Sequence, residues 1–416
     1  MTVGTSRSRL RRTAVRAAIA ALAAAGLLGT VAPTALAAAP VTAVAGAPAG
    51  PALPATESST PDGALDGALR AVVAEGGAAA VQAEVREDGR RVWRGAAGVA
   101  DLRTGAPVPD EARFRIGSVT KTFAATVVLQ LVAEGKVGLD TPVERYLPGV
   151  VPNGAAITVR RLLNHTSGLY NFTDDARFGT EGAAADRWLR VGRWTTYRPQ
   201  DVVALATAHP PYSEPGAWHY SNTNYVLLGM IVQRATGHTW ADEVERRVIR
   251  PLGLHGTSMP DSSPFVPGPH AHGYLPRPGG PVDVTLQNPS AFGPAGAGIS
   301  TTADLARFNA ALLGGRLLGP AELAEMKRQV AADNGGTYGL GLVRYPTACG
   351  EFWGLSGGLP GYGTIVLGDA AGHRQAAVSI TPLDLTEATG RTLQALIDTA
   401  TCGSAAATAA PAGPAR

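Results

Sequence analysis

Strand-patterned segments stand at opposite ends of one long folded stretch, and that placement limits what the chain can become. Near the start, residues 79–87 alternate, with Val81, Ala83 and Val85 on one side. Asp88-Gly89 then reads as a hairpin turn and residues 91–99 return. Near the end, residues 339–344, 351–355, 362–368 and 375–381 read as strands, and residues 386–401 as a closing helix. Between them, roughly residues 140–330 hold helical pieces joined by Pro/Gly loops: 159–164, 224–235, 240–249, 302–313 and 320–330. No internal repeat is evident. One antiparallel sheet built from both chain ends and flanked by helices fits this order, with the central helices as a mostly helical subdomain and a cleft between the two. The expected class is α/β, of the α+β sandwich kind.

The flanks carry different information. Residues 1–39 read as a signal peptide. Arg7, Arg9, Arg11, Arg12 and Arg16 precede an Ala/Leu core from Ala17 to Leu28, and Ala35-Leu36-Ala37 and Ala37-Ala38-Ala39 fit a small-residue cleavage site. An uncleaved membrane anchor is the alternative, but the core is short for a span and is followed by Gly29 and Pro33. Arg11-Arg12 matches a twin-arginine signal only in part. A secreted protein with no stable membrane span after cleavage is expected. Residues 40–60 read as a disordered linker, 61–403 as the folded domain and 404–416 as a disordered tail. The formal net charge of +3 owes its sign to the leader's five arginines, and no Lys/Arg run remains to bind nucleic acid. Cys349 and Cys402 are the only cysteines. In an oxidising compartment a disulfide between them is expected, tying the last helix to the hairpin near residue 350. The chain-entropy contribution is about 4 kcal/mol. Two buried thiols are the alternative.

The chemistry begins at Lys121. The chain has three lysines against 33 arginines, so a lysine kept where arginine would preserve the charge points to work arginine cannot do. A desolvated lysine can lose its proton and act as a base, whereas guanidinium stays protonated. Ser118 stands three residues earlier, at the start of a helix over residues 119–134, and shares a helical face with Lys121. A neutral lysine there can take the serine proton during attack on a carbonyl. The helix N-terminus favours a developing oxyanion. A second cluster is His219-Tyr220-Ser221-Asn222, in which Asn222 and Asn224 also suit a cap for a helix over 225–235. A third runs from Trp353 to Tyr362 through Gly354, Leu355, Ser356, Gly357, Gly358 and Gly361, at the turn between two strands. Glycines there permit close approach of a ligand to backbone.

Ser-x-x-Lys, then Tyr-x-Asn about a hundred residues on, then a Gly-rich strand turn resembles the three-motif layout of the serine β-lactamase and penicillin-binding-protein superfamily. The likeness is nearest to the class C β-lactamase-like branch and to secreted actinomycete D-alanyl-D-alanine carboxypeptidases. The stretches Leu163-Asn164-His165-Thr166-Ser167-Gly168-Leu169, Glu214-Pro215-Gly216 and Gly296-Ala297-Gly298-Ile299-Ser300-Thr301 also resemble the family, and the likeness covers roughly residues 65–402. It implies a β-lactamase/transpeptidase-like fold in which Ser118 is acylated and Lys121 and Tyr220 share the base and proton-shuttle roles. Asn222 would hold a substrate amide, with Ser356 and Gly357 contributing to substrate binding. The N–H groups of Ser118 and Gly358 would form the oxyanion hole.

One departure bears on substrate choice. The family's third motif opens with Lys or His, and here that residue is Leu355. Leucine carries no charge and relays no proton, so recognition of a C-terminal carboxylate falls into question. Arg344 on the neighbouring strand is a possible substitute cation, and Trp353 with Leu355 a possible apolar rim. The expected activity is a D-alanyl-D-alanine carboxypeptidase acting on peptidoglycan peptides. The alternatives are a β-lactamase-fold esterase, a β-lactamase, a D-amino-acid amidase, or a non-catalytic protein binding penicillin or wall fragments. A small peptide, ester or β-lactam substrate, a monomer, and no metal or cofactor are expected. Gly354-Leu355-Ser356-Gly357-Gly358 matches a nucleophile elbow formally, yet only His373 follows it. His270 and His272 lack companions for a metal site. His165 reads as structural, hydrogen-bonded within its own loop, and His219 as no closer than the surroundings of the site.

Overall fold

A computed structural model describes residues 61–347 and 349–403. The signal peptide, linker and tail read from the sequence lie outside the described residues. The chain ends supply β1 (Ala78–Glu87), β2 (Arg90–Asp101) and β3 (Ala106–Pro107) on one side, and β4 (Val343–Thr347), β5 (Gly350–Leu359), β6 (Tyr362–Asp369) and β7 (Arg374–Pro382) on the other. They form one seven-stranded sheet in the order β4-β5-β6-β7-β1-β2-β3. Every ladder is antiparallel, and the two ends of the chain meet where Val81 pairs with Ile380. The β1–β2 turn falls at Asp88-Gly89 as expected, both with positive φ (48° and 76°), the requirement of a tight hairpin of matching twist.

Alternation along the strands sorts side chains onto two faces. Val81, Val85, Ile365, Val378 and Ile380 face outward, against Leu65, Leu69 and Val72 of α1 (Pro61–Ala74) and against the closing helix. That helix, Glu387–Cys402, contributes Leu393, Leu396 and Ile397. Each such side chain contributes roughly 1.5–3 kcal/mol on burial. Trp353, Val366 and Ala377 point to the other face, where the helical subdomain packs. Its main members are α2 (Thr120–Ala133), α3 (Asn222–Thr236) and α4 (Thr302–Leu313), followed in chain order by the closing helix as α5. Cys349 and Cys402 are joined, with Cα atoms 5.4 Å apart, so the expected disulfide ties the end of α5 to the β4–β5 turn.

The structure departs from the sequence reading in four places. Helix α1 was not anticipated, its apolar Leu65, Leu69 and Val72 being diluted among Ala, Gly and Asp. The Gly-rich run is not a turn: residues 353–359 lie inside β5, and the reversal comes at Pro360-Gly361 (φ 84° at Gly361). Glycine is required there by proximity, since a Cβ on Gly354 would sit 1.8 Å from the Val366 carbonyl oxygen. Helix α3 begins at Asn222 and is preceded by extended Ser221, so Asn222 and Asn224 are helical residues and not caps. Finally, the helix Pro320–Lys327 stops short of residue 330, where Val330–Ala331 pairs with Thr337–Tyr338.

Candidate active site

Ser118 lies in a 3₁₀ turn, Gly117–Val119, that runs straight into α2. Gly117 has φ 49°, and a Cβ on it would come within 2.6 Å of Gly358 N. A Cβ on Gly357 would fall 2.6 Å from Ser118 N. Two glycines facing each other thus let β5 lie directly on the serine turn, bringing the backbones of Ser118 and Gly358 together. Thr120 fastens the turn: its hydroxyl donates to Gly117 O (2.7 Å) and accepts from Gly298 N (3.0 Å).

Three residues on from Ser118, Lys121 is 0% exposed. Its Nζ is 3.0 Å from Ser118 Oγ, 2.8 Å from Asn222 Oδ1 and 2.6 Å from Ala295 O. Burial pushes its pKa well below the usual lysine range. A neutral amine has two N–H bonds and one lone pair. The Asn222 and Ala295 oxygens can only accept, so they take both N–H groups and leave the lone pair facing Ser118. Tyr220 completes the arrangement with its phenol 2.7 Å from Ser118 Oγ. Burial raises the Tyr220 pKa, against a smaller opposing effect of Ser118, so the phenol keeps its proton. With Ser118 donating to Lys121, Tyr220 donates to Ser118. The three groups form a one-way relay from phenol to hydroxyl to amine.

The orientation of the Asn222 amide is determined by its neighbours. Asn171 Nδ2 donates to Asp174 Oδ1, which turns Asn171 Oδ1 toward Asn222. That oxygen accepts from Asn222 N (2.9 Å) and Nδ2 (3.2 Å), and Nδ2 also reaches Thr173 Oγ1. Asn222 Oδ1 is thereby left for Lys121. Asn171, Thr173 and Ala295 were not picked out from the sequence. Asn171 precedes a short 3₁₀ turn that holds Thr173, Ala295 ends another, and only the Gly296–Thr301 stretch next to Ala295 carried a hint.

The third strand is more open. Strand β4 pairs with β5 only as far as Val343↔Gly354, so from Leu355 onward that edge of β5 has no ladder partner among the described residues. An extended substrate can hydrogen-bond to such an edge. Leu355 shares the inner face with Trp353 by strand alternation, and both are buried (4% and 8% exposed), so they form no exposed rim. The half-buried Ser356 has the phenol of Tyr345 as hydrogen-bonding neighbour, on the outer face. Arg344 is exposed and engaged by Glu351 at 2.7 Å. His219 lies 3.9 Å from Asp333, away from Ser118's partners. His272 bonds Asp283, and among the described residues no cluster of three or more His, Cys, Asp or Glu could hold a metal.

Comparison with known proteins agrees with this geometry. The Beta-lactamase family model matches residues 65–396, and the chain belongs to that family, within the serine β-lactamase and penicillin-binding-protein superfamily. It is a serine hydrolase of the β-lactamase fold. It is 33% identical over 284 residues to penicillin-binding protein 4 of Amycolatopsis lactamdurans, covering 64% of this chain and 69% of that protein. It is 36% identical over 190 residues to esterase EstB of Burkholderia gladioli, covering 43% of this chain and 47% of the esterase. A D-stereospecific amidohydrolase from Streptomyces sp. superposes with a TM-score of 0.72 at 39% identity, covering 82% of this chain and 98% of that one. No helix among the described residues is long and apolar enough to cross a membrane.

Proposed function

We propose that the protein hydrolyses amides or esters through an acyl-enzyme on Ser118, and that its substrates present no free carboxylate next to the scissile bond. Lys121 takes the serine proton through its lone pair, and Tyr220 passes a proton to the leaving group. The N–H groups of Ser118 and Gly358 hold the oxyanion, and Asn222 with the open edge of β5 aligns the acyl chain, Gly357 keeping that strand close. Ser356 supports β5 through Tyr345 rather than binding a carboxylate. The relay of Tyr220, Ser118 and Lys121 carries the reading, because every hydrogen in it has one acceptor. Buried Leu355, at the position the family gives to a cation or imidazole, favours amides and esters over carboxy-terminal peptides. The likeness to a D-stereospecific amidohydrolase adds D-configured acyl groups as the class to try first.

D-alanyl-D-alanine carboxypeptidase action is the second reading, favoured by the likeness to a penicillin-binding protein. The discriminating experiment follows D-phenylalanine amide, p-nitrophenyl acetate and an acyl-D-alanyl-D-alanine peptide side by side, with intact mass recorded after benzylpenicillin and with Ser118→Ala as control. Turnover of amide and ester, lost in Ser118→Ala, with little action on the peptide, supports the proposal. Preferred turnover of the peptide with a long-lived penicillin adduct supports the second reading. Binding of penicillin without turnover of any probe would leave a non-catalytic binding protein.

A further inference from the structure

Tyr220 stands in an extended segment just ahead of α3, where regular secondary structure does not fix its side chain. The loop of residues 164–169 does. Tyr212 N donates to Gly168 O (2.8 Å), Gly216 N to Thr166 O (2.9 Å), and His219 N to His165 O (2.9 Å). The next rung is made by a side chain: Ser221 N donates to His165 Nδ1 at 3.2 Å. The residues on both sides of Tyr220 are therefore held by one histidine, through its backbone carbonyl and its ring. The imidazole also lies against the Tyr220 ring, with centroids 4.4 Å apart.

His165 is itself tightly placed. It is fully buried, has φ 61°, and lies 3.2 Å from Asn224 Nδ2. Ser167 Oγ donates to Asn224 Oδ1 at 2.6 Å, which turns Nδ2 of that amide toward the imidazole. Two donors on Nδ1 place the ring proton on Nε2. An imidazolium has no lone pair at Nδ1 and could not make this contact. Burial holds the His165 pKa well below the usual histidine range, so the accepting form persists. The bond therefore crosses between two loops, and the expectation of a contact within one loop is corrected.

We infer that His165 is a positioning residue whose carbonyl and Nδ1 bracket Tyr220 and keep its phenol on Ser118. The inference rests on the proposed role of Tyr220 as the proton-exchanging partner of Ser118. His165→Phe keeps an aromatic face but removes the acceptor. His165→Asn keeps an acceptor and tolerates positive φ. Turnover of p-nitrophenyl acetate is measured for both variants, alone and combined with Tyr220→Phe, and the crystal structure of His165→Phe is determined. In His165→Phe, kcat should fall about 100-fold, the order expected for a misplaced catalytic group, with KM changed less than about twofold. His165→Asn should regain part of that loss. With Tyr220→Phe present, the His165 substitutions should change kcat by less than about twofold, because nothing remains to be positioned. The Tyr220 phenol should lie beyond hydrogen-bond range of Ser118 in the variant crystal. An unchanged kcat in folded His165→Phe, an equal loss in both backgrounds, or an unmoved Tyr220 overturns the inference. If His165→Phe does not fold, His165→Gly, which accepts φ 61° and has no side-chain acceptor, makes the same comparison against Tyr220→Phe. Full activity in Ser118→Ala would sink the acyl-enzyme reading alone, and the Tyr220 position in a crystal of either His165 variant would still decide whether His165 holds it.

Discussion

The two faces of the sheet follow different rules. Outward, Val81, Val85, Ile365, Val378 and Ile380 meet α1 and α5 in an apolar layer. Inward, the alternate positions hold buried Gln82, Glu84, Gln375 and Ser379, while the helices packed there add buried Lys121, Asn222 and Asn224 and a neighbouring loop adds His165. The outer layer gains from each apolar atom it covers. The inner layer carries desolvated polar groups that must each find a partner. Stability is concentrated on one side of a single sheet and chemistry on the other.

The largest expected effect tests the inner face alone. Ser118→Ala should abolish covalent labelling by any acylating probe, read as intact mass, while the thermal midpoint stays near wild type. Next, Lys121→Arg should lower kcat/KM about 10³-fold, within the range for loss of a general base, since guanidinium offers no lone pair at neutral pH. A variant retaining more than a tenth of the activity would refute the base role. The third substitution belongs to the outer side: replacing Cys349 and Cys402 by Ala should cost about 4 kcal/mol in denaturant unfolding, with kcat per folded molecule unchanged. Leu396→Ala, in α5, should cost about 3 kcal/mol and also spare kcat. A large fall in kcat from either outer change would break the division between the faces.

The smallest effect is a pH trend. Lys121 holds a proton in the unfolded chain up to about 10.5, the ordinary lysine value, and gives it up well below that in the fold. Between those limits the unfolded state binds more protons, so raising the pH through that window stabilises the protein. In the same direction, kcat/KM should rise as pH passes upward through the depressed Lys121 pKa, because only the amine has a lone pair. A profile without this acid limb would count against a neutral lysine.

The sheet was legible because alternation is a local signal: Val81, Ala83 and Val85 declare their face without knowledge of their partners. Ser118, Lys121, Tyr220 and Asn222 were legible for a similar reason, as short spacings recur with a fixed chemistry. Asn171 and Ala295 were not, since one buried amide and one backbone carbonyl have no pattern, and tertiary packing alone brings Asn171 to Asn222 and Ala295 to Lys121. His165 was visible as a motif residue, but its Tyr220-facing role needed the pairing of two loops far apart in sequence, His165 and Ser221 being 56 residues apart. Leu355 stands out in the sequence as a departure from the motif, but the apolar rim expected of it and Trp353 is buried. Sequence shows which residue replaces a family's cation, whereas burial depends on Trp353 and the strands around it.

The ladder between β1 and β7 joins residues as far apart as Ala78 and Pro382, 304 positions along the chain. Contacts of that span form late in folding, because the intervening loop must close first. The serine turn comes from the early part of the chain, and the β5 backbone that abuts it comes from the late part. During synthesis, therefore, no fragment that ends before Gly358 holds both the nucleophile and the second of its proposed oxyanion donors. The architecture acts as an interlock on timing: hydrolytic competence arrives only once strands β5 to β7 have followed the serine turn into the sheet.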